Sequence, residues 1–196
     1  MSRIGRRPVR IVSGVELNIE EEKVTVKGPK GEMAIEKPRN ILVEVKDGFV
    51  FVKPNEVTNL IKPTWGLVRS RINSAIIGVS EGFKKTLKLV GLGYRVTKKG
   101  EGITLAIGFS HPVDFAATEG IKFEVDGNDT VMVSGVDKEK VGLISAQIRA
   151  VRPPEPYKGK GIMFLGEKIR RKAGKSGKVG AGVTGGAVGG AGGAKK

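Results

Sequence analysis

Ile41-Leu-Val-Glu-Val45 and Ile121-Lys-Phe-Glu-Val125 are one strand written twice. Each is followed by a turn, Lys46-Asp47-Gly48 or Asp126-Gly127-Asn128-Asp129, and then by a second apolar run, Phe49-Val-Phe-Val52 or Thr130-Val-Met-Val133. Farther on, Trp65-Gly-Leu-Val68 with Ile72 is echoed by Val141-Gly-Leu-Ile144 with Ile148. Upstream, Lys23-Val-Thr-Val-Lys-Gly28 faces Ile103-Thr-Leu-Ala-Ile-Gly108 at the same spacing. The offset drifts from 80 residues to 76, which short loop insertions and deletions account for. Few residues are identical, but the order of features is kept, and that marks an internal duplication.

Working outward, each copy reads as strands followed by one helix. Val24 and Val26 alternate with Thr25 and Lys27, as a half-buried strand requires. Gly28-Pro29-Lys30-Gly31 is a turn by composition, after which Met33 and Ile35 resume the alternation. Asp47-Gly48 between two apolar runs signals a hairpin. In the second copy Leu87 and Leu89, Tyr94 and Val96, then Ile103, Leu105 and Ile107 alternate similarly. Asp137 is placed to cap a helix whose stripe is Val141, Ile144, Ile148 and Val151, ended by Arg152-Pro153-Pro154. In the first copy the stripe is Val68, Ile72, Ala75 and Ile76, with Pro63 near the start and Gly78 able to close it.

The expected fold class is therefore α+β, with two tandem similar domains. Each is an antiparallel sheet carrying one helix on one face. The boundaries fall at a basic N-terminal extension over 1–10, a first domain over 11–80, a second over 81–165, and a basic arm with a Gly/Ala-rich flexible tail over 166–196. The stretch 179–194 holds eight Gly, four Ala, three Val and one Thr, too little apolar surface to offset chain entropy.

Charge narrows the function. The net charge is +15, yet it is concentrated at the ends. Residues 1–10 carry four arginines and no acid, whereas 11–151 hold 20 basic and 18 acidic residues. Residues 152–178 carry nine basic residues against Glu155 and Glu167, and Lys195 and Lys196 add two. Clustering of this kind points to a polyanionic partner. There is no run of 18 apolar residues, which excludes a membrane helix, and Met1 to Arg10 has no apolar stretch behind its arginines to make a secretory signal. Cysteine is absent, which removes disulfides and thiolate chemistry and fits a cytoplasmic protein.

Catalytic readings find little support. The one histidine, His111, lies in Gly108-Phe-Ser-His-Pro112 without a nucleophile elbow, and reads as a structural loop residue. Gly174-Lys175-Ser176 ends like a phosphate-binding loop, but Ile169 stands where that motif needs glycine. Gly91-Leu-Gly93 is only a fragment of a dinucleotide fingerprint, and Glu20-Glu-Glu22 reads as a solvated turn. No cofactor and no metal are expected.

Binding has more material. The prolines after Arg152 hold the chain extended. In Lys158-Gly159-Lys160-Gly161, charge alternates with glycine, so the backbone can approach a phosphate chain while two ammonium groups flank it. Tyr157 can either stack on a base or anchor the turn. Lys168, Arg170, Arg171 and Lys172 form a second cluster, with Lys175 and Lys178 beyond. Ile162, Phe164 and Ile169 read as packing residues that tie this segment to the second domain. Arg152 at the head of the segment is expected to contact RNA as well, as are Arg3, Arg6 and Arg7, which supply the N-terminal charge. Such a surface reads phosphate positions and RNA shape more than base edges.

Several of these motifs together resemble the bacterial-type large-subunit ribosomal protein L-six family. The likeness runs through Met1-Ser-Arg-Ile-Gly-Arg-Arg-Pro8, Val26-Lys-Gly-Pro-Lys-Gly31, Glu81-Gly-Phe83, Val90-Gly-Leu-Gly-Tyr-Arg95, Gly108-Phe-Ser-His-Pro112 and Arg152-Pro-Pro-Glu-Pro-Tyr-Lys-Gly-Lys-Gly-Ile162. It covers residues 1 to about 178. The resemblance implies a structural, non-enzymatic protein of the cytoplasmic ribosome that binds large-subunit ribosomal RNA near the sarcin–ricin loop and the stalk base. Neighbouring ribosomal proteins and docking translation factors would lie close by. It carries over Lys158, Gly159, Lys160 and Gly161 as RNA-contacting residues, and Lys168 to Lys178 less firmly. The Pro63-Thr-Trp65 stretch and the long Gly/Ala tail depart from the family pattern.

Two rivals remain. One is a single-strand nucleic-acid binder, which needs exposed aromatics; the ten aromatics here mostly fall at strand positions that read as buried. The other is a protein–protein adaptor working through sheet edges.

Overall fold

The computed structural model describes residues 2–56, 58–59 and 61–175. Lys178, the 179–194 stretch, Lys195 and Lys196 lie outside the described residues. The first half runs through β1 (Val9–Arg10), β2 (Glu16–Ile19), β3 (Lys23–Gly28), β4 (Gly31–Glu36), β5 (Ile41–Lys46), β6 (Phe49–Pro54) and α1 (Ile61–Ser80). The second runs through β7 (Phe83–Val90), β8 (Arg95–Lys99), β9 (Gly102–Ala106), β10 (Val113–Phe115), β11 (Ile121–Asp126), β12 (Thr130–Gly135), α2 (Lys138–Val151) and β13 (Gly161–Phe164).

Each half holds two antiparallel sheets where the sequence suggested one. In the first they are ordered β1-β6-β5 and β2-β3-β4, and in the second β11-β12-β7-β13 and β10-β9-β8. The repeat is plain in the registers. Val43 pairs with Val52 and Val45 with Val50, as Phe123 pairs with Val133 and Val125 with Val131. The first hairpin turns through Asp47 and Gly48, both at positive φ (52° and 76°), the conformation that matches strand twist. The second joins Asp126 to Thr130 through three residues, and that extra residue lengthens the offset.

The two sheets of each half and its helix enclose one core. Val24, Val26, Ile41, Val50, Trp65, Val68, Ile72, Ala75 and Ile76 form the first. Leu87, Leu89, Leu105, Ile107, Phe123, Val131, Val141, Ile144, Ile148 and Ile162 form the second. Both helix stripes thus face inward as their spacing demands. Asp137 caps α2, its carboxylate accepting from the Glu139 N–H at 2.8 Å. Pro63 falls in the first turn of α1, where the missing N–H costs no intrahelical bond. The Trp65 indole N–H donates to the Val52 carbonyl at 2.7 Å, which seats the N-terminal turn of α1 on β6.

Gly78 does not close α1, which continues to Ser80 and turns at Gly82 (φ 79°). Gly78 serves packing instead. Its bare Cα lets the Val136 backbone and the Phe83 ring pass close by, at the point where the halves meet. Val136 itself packs on the first core. The Lys30 N–H donates to the Val79 carbonyl at 3.0 Å, its ammonium donates to the Glu81 carbonyl, and Arg71 pairs with Glu139 at 3.1 Å.

Candidate nucleic-acid interface

The candidate segment begins where α2 stops. Pro153 and Pro154 cannot continue the helix, and the Ile162 N–H donates to the Arg152 carbonyl at 2.8 Å, so the chain loops out and returns at β13. Within the loop the Glu155 N–H donates to the Lys160 carbonyl at 2.9 Å, and the Gly159 N–H to the Glu155 carbonyl at 3.1 Å. Gly159 sits at φ 74° inside this tight turn. Lys158 and Lys160 project from it, both exposed, as is the Tyr157 ring at 55%.

The glycines have a packing reason of their own. Gly161 is buried at φ 141°, and a Cβ there would lie 2.6 Å from the Pro153 oxygen. The alternation of lysine and glycine is therefore also what lets the loop close on its own prolines. β13 then pairs along the outer edge of β7, Ile162 opposite Leu89 and Phe164 opposite Leu87. Ile162 is fully buried, so this segment is tied to the second core as its apolar residues required.

Beyond β13 the chain turns at Gly166, and Glu167 pins it down. Its carboxylate accepts from Arg149 at 2.6 and 3.0 Å and from the Phe164 N–H at 3.0 Å. The Arg149 hydrogen bond is the main cause that holds the Glu167 carboxyl below its usual range, and the same bond raises the Arg149 pKa. The following stretch folds back: the Lys172 N–H donates to the Pro156 carbonyl at 2.9 Å. The Arg171 guanidinium lies 3.7 Å, and the Ile169 side chain 3.8 Å, from where a Gly159 Cβ would be. Two cation clusters that are separate in sequence are thus brought together, with Lys158, Lys160, Lys168, Arg170, Arg171, Lys172 and Lys175 all exposed.

Arg152 is placed differently. One of its Nη groups donates to the Ile107 carbonyl at 2.5 Å, and its guanidinium lies 5.2 Å from the Tyr94 ring centroid and 5.5 Å from that of Phe109. It joins the β7–β8 and β9–β10 loops to the end of α2. Arg3, Arg6 and Arg7 are exposed on a segment seated against α1 of the first half. There Gly5 packs on the Trp65 ring, and Arg69 donates to the Arg7 and Pro8 carbonyls at 3.1 Å. Burial, with Arg7 beside it, lowers the Arg69 pKa.

The sequence reading missed Arg149 and Glu167 as the pin of the arm. Their signal was faint: a cation in the last turn of α2 and one of only two carboxylates in the basic segment. His111 is exposed and stacks on Phe109, centroids 6.4 Å apart. Among the described residues no group of histidine and carboxylate side chains is arranged to hold a metal ion.

The family model for Ribosomal protein L6 matches residues 11–82 and 90–164, one segment in each half. Among curated proteins, "Large ribosomal subunit protein uL6" of Pelotomaculum thermopropionicum is 49% identical over 177 residues, 90% of this chain and 97% of that protein. Its namesake in Enterococcus faecalis is 48% identical over 179 residues, 91% of this chain and 100% of that one. "Large ribosomal subunit protein uL6c" of Guillardia theta is 44% identical over 178 residues, 91% and 99% of the two chains. With matches to both halves and to nearly the full length of these relatives, the chain belongs to the ribosomal protein L6 family.

Proposed function

We propose that the chain is a structural, non-enzymatic constituent of the large ribosomal subunit in the cytoplasm, holding large-subunit ribosomal RNA through residues 157–161 and 168–175. The observation that carries this reading is the fold-back of the arm, which gathers seven exposed cations around one loop built on the second core. Lysine and arginine side chains there meet phosphates, while few groups are set to read base edges, so specificity comes from RNA shape. Arg3, Arg6 and Arg7 extend the electrostatic reach from the first half. Arg152 contributes by holding the loops in register.

The finer placement follows the family resemblance. The RNA is that near the sarcin–ricin loop and the stalk base, beside neighbouring ribosomal proteins, where the protein supports the region on which translation factors dock. No reaction is assigned to it, and its contribution is position.

Salt titration of binding to a large-subunit ribosomal RNA fragment tests the reading. With six to eight cations on phosphates, log K falls against log salt with a slope of roughly −4 to −7, and a near-flat slope overturns the phosphate contacts. Changing Lys158→Glu and Lys160→Glu together weakens binding strongly and leaves thermal unfolding nearly unchanged. Crosslinks to that fragment concentrate in 152–178, and a dominant cluster in 11–80 overturns the site.

A further inference from the structure

The two hairpins differ on the face turned away from their helices. In β6, Val50 and Val52 point into the core, so Phe49, Phe51 and Lys53 line the opposite face. β6 is the central strand of its sheet. The registers set Arg10 and Lys46 beside Phe49, Glu44 beside Phe51, and Leu42 beside Lys53. None of Leu42, Phe49 and Phe51 belongs to either core, and Leu42 is 49% and Phe49 38% exposed. Strand position alone had suggested that such aromatics were buried, and these two are not.

At the matching positions of the second copy stand Thr130, Met132 and Ser134 on β12, with Lys122, Glu124 and Asp126 on β11. That face has no aromatic ring, and its cations, Lys122 with Lys84 and Lys88 of β7, stand among the carboxylates of Glu124 and Asp126. The first has two rings on one strand, roughly 7 Å apart. Arg10, Lys46 and Lys53 surround them, and the one carboxylate, Glu44, is already engaged by Lys46 at 3.0 Å and Lys53 at 3.1 Å.

We propose that the open face of β1-β6-β5 is a second RNA site, which takes a short unpaired strand by stacking successive bases on Phe49 and Phe51. Arg10, Lys46 and Lys53 flank the phosphates. Every base offers a π-face, so such a platform needs no sequence. Paired RNA keeps its bases stacked inside the helix and cannot present them to a sheet. The cationic surround favours a polyanion. A protein partner would need a wider apolar area than two rings and Leu42 supply. The site is separate from the 157–175 surface and does not depend on it.

The test uses the full chain with Lys158→Glu and Lys160→Glu, titrated with a fluorescein-labelled ten-residue oligouridylate. Saturable binding is expected, with ultraviolet crosslinks at 49–51. Removing both rings (Phe49→Ala with Phe51→Ala) lowers affinity by about tenfold per ring. Phe49→Leu with Phe51→Leu keeps the apolar strand and guards against misfolding, and it loses most of that affinity too. No binding of the oligonucleotide, crosslinks confined to 152–175, or leucine-variant affinity within twofold of the parent overturns the platform. So does a leucine variant that binds the oligonucleotide normally but no longer joins large subunits, because the occupant is then a protein. Failure of the arm reading shows separately, as ribosomal RNA fragment binding that ignores Lys158 and Lys160.

Discussion

In the first half β1 is an edge strand of its sheet among the described residues, whereas β7, which takes the same place beside β12, is covered on its outer side by β13. The two hairpins and helices are otherwise built alike. An edge strand offers unpaired backbone groups that can accept another strand. In the second half the chain after α2 fills that place itself, and in doing so fastens the lysine loop and the arm to a finished core. The duplication thus supplies two equal bodies, and the addition of one strand makes one of them the holder of the cationic surface.

Gly161 is where that difference is most easily broken. Gly161→Val forces a side chain onto the Pro153–Pro154 backbone at φ 141°, combining a steric clash with backbone strain. A loss of about 3–4 kcal/mol is expected. Hydrogen exchange should show β13 amides opening while those of β3 and β6 stay protected. If β13 remains protected, the strand does not depend on the close approach of the prolines.

Ile72 and Ile148 occupy equivalent places in the two helices, and both are fully buried. Changing either to Ala removes the same group from matched cores, so each substitution costs about 2–5 kcal/mol in urea unfolding. The pair should add to within about 0.5 kcal/mol, since they share no partner. A larger deviation would mean that the Val136 contact joins the halves into one cooperative unit.

How far the sequence disclosed this design varies by element. The duplication, both helix stripes, the Asp137 cap and the first hairpin were legible because each rests on local spacing or turn chemistry. The division of each half into two sheets was not, since alternation marks a strand without saying which strand it pairs with. β1 is two residues inside an arginine cluster, too short and too polar to show a period. Phe49-Val-Phe-Val52 is apolar throughout, so nothing in it says which face turns inward, and only the β5 and helix contacts choose Val50 and Val52. In the basic segment the cations were readable from composition. That Arg152 spends its guanidinium on Tyr94, Phe109 and the Ile107 carbonyl depends on loops some 45 and 60 residues away in sequence.

Helix capping offers a smaller test within the second half. Asp137→Ala removes the acceptor for the Glu139 N–H and should cost about 1 kcal/mol, read as a lowered urea midpoint with an unchanged slope. Restoration by Asp137→Ser or Asp137→Asn would identify the cap, and not a charge effect, as the cause.

The weakest expected effect belongs to the Arg149–Glu167 pin; at the place matching Arg149 the first helix carries Asn73. Both side chains are partly exposed, so solvent screening limits the pair to about 0.5–1 kcal/mol despite its two hydrogen bonds. Glu167 has a lowered folded-state pKa, caused first by Arg149 and then by the Phe164 N–H. Its contribution is therefore complete above the unfolded glutamate value of about 4.3. It disappears as pH falls through the folded value, where the carboxyl takes up its proton. Glu167→Gln should unfold more easily than the parent at pH 7, with the gap closing as the pH is taken below 4. A gap that persists undiminished in acid would assign the loss to the fit of the amide in the site and not to the lost charge. The arm would then be held by the packing of Phe164 on the second core and by the Lys172 N–H bond to the Pro156 carbonyl, neither of which titrates.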